Sequence, residues 1–121
     1  MNRERFNEIW QSFVDKEMPL MISKGADYSN SDEALQNFKE AAAFLGTTPQ
    51  EVALIYCIKH LSAIKNMLKN PPDKLCWTSE RDGVLVEGPL QKISDARNYL
   101  AIFAMCLEDY YGIKCDFGEG K

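Results

Sequence analysis

The chain has 121 residues, 45% of them apolar and 26% charged, with a net charge of −4. That length supports one hydrophobic core without disulfide staples, and the composition excludes a disordered chain. The acidic balance excludes a protein built to coat DNA or RNA, which needs Lys and Arg massed on one face, but it leaves room for a small anion held by a few local donors.

The opening MNRERFNEIW is charged and amphipathic, with no apolar stretch of the kind a signal peptide carries. Apolar periodicity then predicts a first helix from Asn2 to Ile22, through Phe6, Ile9, Trp10, Phe13 and Val14. Pro19 interrupts it and is expected to kink the helix or restart it, because proline has no backbone N–H to donate. Gly25 is the expected stop, and Lys24 to Asn30 reads as a loop.

A second helix is expected from Ser31, which can cap it, to Leu45, with Leu35, Phe38, Ala42 and Leu45 as its stripe and Gly46 as its end. The third has the clearest start signal. Thr48-Pro49-Gln50-Glu51 is a capping box with proline at the first helical position. Its stripe reads Leu54, Cys57, Ile58, Leu61, Ile64, Leu68, and Asn70-Pro71-Pro72 stops it. Residues 73 to 88 are the least helical, and a small hairpin turning at Asp82-Gly83 fits them. A fourth helix is expected from Pro89 to Tyr111, with the stripe Ile93, Leu100, Phe103, Ala104, Leu107, and a fraying tail over residues 113 to 121. The expected fold is therefore all-α: one domain over residues 1–121, a four-helix bundle with an irregular or hairpin insertion before the last helix.

The longest apolar run, Tyr99 to Leu107, is far short of the roughly 20 residues that span a bilayer. The four cysteines, Cys57, Cys76, Cys106 and Cys115, show no zinc spacing. Cys57 and Cys106 fall in apolar helical patterns and read as buried thiols of a cytoplasmic protein. Surplus aromatics, Trp10, Trp77 and Tyr110-Tyr111, point to a homo-oligomer.

Three groups of polar residues are candidates for chemistry. Lys59 and His60 lie mid-helix, where Lys59 can snorkel to water and His60 can bond a backbone carbonyl, or both can donate to phosphate. His60, the single histidine, shares a side with Tyr56, Ala63 and Ile64. Asp95 and Asn98 stand one turn apart, with Glu87 just before that helix. Glu87 and Asp95 can partner a helix dipole or, with Asn98, hold Mg²⁺. The loop Lys24-Gly25-Ala26-Asp27-Tyr28-Ser29 is either an ordinary turn or a place where Tyr28 stacks on a base and Lys24 meets phosphate. No phosphate-loop, nucleophile-elbow, zinc-helix or dinucleotide fingerprint is present.

The blocks K-G-A-D-Y-S, A-L-Q-N-F, K-H-L-S-A-I and E-G-P-L-Q-K-I-S-D-A-R-N-Y-L occur in that order, over Lys24 to Phe38, Lys59 to Ile64 and Glu87 to Leu100. Together they resemble the nucleotide modification associated domain 1 group of small phage and prophage proteins. That group is in turn similar to the MazG and dimeric dUTPase type of all-α nucleotide pyrophosphohydrolases, which bind Mg²⁺ through acidic pairs on two helices. The resemblance implies that Glu87 and Asp95 match the second acidic cluster, with Asn98-Tyr99 in its N-Y place. Where the first cluster would lie, this chain has Ile58-Lys59-His60-Leu61, two cations in place of carboxylates. The resemblance thus implies a phage-type protein in the host cytoplasm that binds a small nucleotide through Lys24, Tyr28, Lys59, His60, Asp95 and Asn98. It would sequester a signalling nucleotide without cleaving it and need no cofactor to bind. The alternatives are a Mg²⁺-dependent nucleoside triphosphate pyrophosphohydrolase and a scaffold that takes no ligand.

Overall fold

The computed structural model describes residues 1–26 and 32–116. The chain is all-α apart from one hairpin. It divides into two compact units, Met1–Asn37 and Phe38–Lys121.

In the first unit, α1 (Arg3–Ser12) starts at Asn2, whose side chain accepts from the Arg5 N–H at 2.8 Å. Phe6, Trp10 and Phe13 meet edge to face along one side, with ring centroids 6.4 and 5.5 Å apart. Helical structure continues through a π turn (Phe13–Glu17) into α2 (Met18–Ala26). The expected disturbance by Pro19 takes this form. Proline cannot bond the carbonyl four residues back, and the residue just before it, Met18, sends its N–H five back, to Phe13. The helix runs on past Ile22 and through Gly25, so glycine here costs some stability without stopping the helix.

In the second unit, α3 runs over Gln36–Leu45, later than expected, and Ser31 lies outside the described residues. Gly46, at φ +70°, ends it in the left-handed conformation, and the Thr47 N–H closes back to the Ala42 carbonyl at 2.9 Å. The chain then bends by 96° into α4 (Pro49–Met67). Thr48 caps α4 by accepting from the Glu51 N–H, while the Glu51 carboxylate takes the Thr47 hydroxyl.

A short 3₁₀ turn (Pro72–Lys74) leads into β1 (Thr78–Arg81) and β2 (Val84–Glu87). They pair antiparallel, Thr78 opposite Glu87 and Arg81 opposite Val84. Asp82 and Gly83 form the two-residue turn, both at positive φ, as such turns require. Gly88 then passes tightly under Cys76: a Cβ there would lie 2.2 Å from the Cys76 carbonyl oxygen. That contact, with the Gly88 N–H on Trp77 and the Leu90 N–H on Cys76, aims the start of α5 (Gln91–Tyr111).

The core of this unit lies between α4 and α5, with Phe38 and Ala42 of α3 against it. Here the burial departs from the sequence pattern. Of the expected α4 stripe, Cys57 is buried and Ile64 half-buried, while Leu54, Ile58, Leu61 and Leu68 are exposed. The buried positions are Gln50, Val52, Ala53, Cys57 and Met67. In α5 they are Ser94, Ala96, Asn98, Ile102 and Cys106 rather than the expected Ile93, Leu100, Phe103, Ala104 and Leu107. Around Ala53, Cys57 and Ala96 the seam is made of small side chains, which let two backbones approach closely: the Cys57 thiol reaches the Ala96 carbonyl at 3.7 Å. Cys57 and Cys106 are buried and free, as expected. Over residues 113 to 116 the tail does not fray, and residues 117 to 121 lie outside the described residues. The Cys115 N–H bonds the Glu108 carboxylate at 2.9 Å and its thiol reaches the Ala104 carbonyl, which returns residues 113 to 116 to α5. Among the described residues, no single helix is long and apolar enough to cross a membrane.

Candidate functional site

The candidate site sits where α4 and α5 face each other near the middle of both. Tyr56 lies by Tyr99 and His60 lies by Asp95, so α5 retreats as α4 advances and the two helices run antiparallel. Tyr56 and His60 are four apart on α4, and Asp95 and Tyr99 are four apart on α5. Each pair therefore stands on one face of its helix, one turn apart.

The geometry is compact. His60 Nδ1 lies 4.0 Å from Asp95 Oδ2, the outer limit of an ion pair, and both side chains are only 17% exposed. The His60 ring is stacked on Tyr99, 5.2 Å between centroids and 14° between planes. Tyr56 tilts against Tyr99 at 5.5 Å, and Phe38 of α3 meets both tyrosines edge to face at 6.1 and 6.3 Å. The result is one imidazole held between a carboxylate and an aromatic wall, in a place that water reaches only in part. Such a setting strengthens electrostatic contacts and offers ring faces for stacking.

The other expected site residues are placed differently. Asn98 is buried on α5, one turn on from Asp95. Lys59 is exposed and precedes His60 by about 100° round α4, one turn on from Tyr56. Glu87 ends β2 opposite Thr78 and is exposed, as part of the hairpin and not of a helix. Lys24 is half-buried in α2, in the first unit, and Tyr28 lies outside the described residues. Among the described residues, no three His, Cys, Asp or Glu side chains gather as metal ligands. Asp95 faces His60.

Tyr56, Tyr99 and Phe38 are members of the cluster that sequence reasoning left off the site. The signal was there: Tyr56 shares a helix face with His60, and Tyr99 with Asp95. What the sequence lacked was the pairing of those two faces. Comparison of the chain with protein-family models, with curated proteins and with solved structures gives no match.

Proposed function

We propose that the chain binds a small nucleotide at the α4–α5 cluster and holds it without cleaving it. The observation that carries this reading is His60 set between the Asp95 carboxylate and the Tyr99 ring. In it, His60 donates to a phosphate oxygen, Asp95 orients the imidazole, and Tyr56, 41% exposed, offers a ring face to the base. The resemblance to small phage and prophage proteins of nucleotide metabolism supports the ligand class, with sequestration of a signalling nucleotide in a host cytoplasm as the corresponding role. Lys59 and His60, two cations where the resemblance implies carboxylates, favour binding over hydrolysis, which would need Mg²⁺ to offset charge on the phosphates.

The test is thermal stabilisation and calorimetry against a panel of nucleotides, with and without Mg²⁺. A ligand at 100 times its Kd adds about 2.7 kcal/mol to stability. His60→Ala removes a charge-assisted hydrogen bond and is expected to weaken binding by roughly 10- to 150-fold. Chelation is expected to leave affinity unchanged and the nucleotide intact. Release of pyrophosphate that requires Mg²⁺ would replace this reading with the pyrophosphohydrolase one. No stabilisation by any nucleotide would leave a scaffold.

A further inference from the structure

On α4, Leu54, Ile58, Leu61 and Leu68 follow one another at steps of four, three and seven residues, and all four are exposed: 40, 52, 50 and 82%. The pattern is a heptad seam, with Ile at one core position and Leu at the other. It extends at both ends to a charge. Glu51 lies seven residues before Ile58, and Lys65 seven after it, and both are exposed. The seam therefore reads Glu51, Leu54, Ile58, Leu61, Lys65, Leu68 over about 25 Å of helix. It lies beside the face that carries Ala53 and Cys57, which are buried.

We propose that this seam pairs with the same seam of a second copy, antiparallel, about a two-fold axis near Ile58. The charges select both the partner and the direction. Glu51 and Lys65 are equidistant from Ile58, so an antiparallel pair sets Glu51 of each copy beside Lys65 of the other, twice over. A parallel pair would set lysine against lysine and glutamate against glutamate. An unrelated partner would gain nothing from a symmetric placement of opposite charges about the seam's centre. The leucines and Ile58 supply the apolar contact and exclude water from it.

Sedimentation equilibrium of the full chain over the micromolar range tests the proposal. The wild-type chain is expected to dimerise. Ile58→Asp, at an exposed position that leaves the fold intact by circular dichroism, is expected to be monomeric at every concentration. Lys65→Glu sets two glutamates against each other at each end and is expected to weaken association about tenfold, less at high salt. Combining it with Glu51→Lys swaps both charges and is expected to restore association to within about threefold of wild type. Rescue of this kind is beyond a purely structural defect. A wild-type chain that stays monomeric, dimerisation that survives Ile58→Asp, a charge swap that fails to rescue, or a Lys65→Glu variant that associates as tightly as wild type, as a parallel pair that already sets like charges together would, each overturns the proposal.

Discussion

Two neighbouring faces of α4 can be compared directly. The face that meets α5 carries Ala53, Cys57, His60 and Met67. The face beside it carries Leu54, Ile58, Leu61 and Leu68, and stays exposed. By side-chain hydrophobicity alone the second face should be the buried one. The first is buried because its residues are small at the centre: Ala53 is 0% exposed and Cys57 1%. Small side chains let α5 come close, and on that close seam a thiol reaches a backbone carbonyl and an imidazole reaches a carboxylate. Fit sets the intramolecular contact, and apolar area is left over for a second contact. The two faces should therefore answer substitution in opposite ways.

The largest effect is expected where the close approach is enforced by the chain itself. Gly88→Ala would drive a Cβ into the Cys76 carbonyl and displace the entry to α5, at a cost of about 3 kcal/mol in urea unfolding. An unchanged midpoint would mean that the hairpin and α5 can part without loss. Ala53→Leu comes next. It adds volume to the seam and should cost about 1–3 kcal/mol, although it makes the helix more hydrophobic and a better helix former.

Leu61→Ala sharpens the contrast from the other side. Measured where the chain is unassociated, it should cost under about 1 kcal/mol, since half of that side chain is already in water. A loss of about 2–5 kcal/mol, the range for a core leucine, would show that the seam reading has the faces reversed.

The smallest effect concerns Cys106, at the α5 side of the core. Burial first, then the nearby Asp109 carboxylate, raise its thiol from 9.0 to about 11, with Lys39 opposing. The folded state thus keeps a proton that the unfolded chain loses above pH 9. The contribution of this group is full below about pH 9 and falls away as pH rises toward about 11. Stability of the wild type should fall more steeply across that window than stability of Cys106→Ser. Equal slopes would mean that the thiol is more open to water than the core around it.

Much of this was legible in the residues. Thr48-Pro49 starts α4, Gly46 and Gly112 end helices at positive φ, and Asp82-Gly83 turns the hairpin. These are local signals, in which a few neighbouring residues decide a backbone conformation. What was not legible was rotation. Periodicity shows that α4 is apolar around much of its circumference but does not say which arc faces α5, because that depends on how closely two backbones can approach. The same limit hid the site. His60 and Asp95 were both visible as candidates, but their grouping with Tyr56, Tyr99 and Phe38 was not, because it depends on which faces of the helices meet. Glu87 likewise read as lying just before the last helix, and it ends the hairpin opposite Thr78, while Asp95 lies beside His60.

The central claim, a nucleotide held at His60, has a direct reporter because the chain contains a single histidine. One imidazole signal in a proton–nitrogen NMR spectrum belongs to the site and to nothing else. Titrated with the nucleotide that stabilises the chain best, that signal is predicted to shift and saturate at the calorimetric Kd, and Asp95→Asn is predicted to weaken the response. An imidazole signal that stays put while the same nucleotide binds would contradict the account and place the ligand elsewhere on the chain.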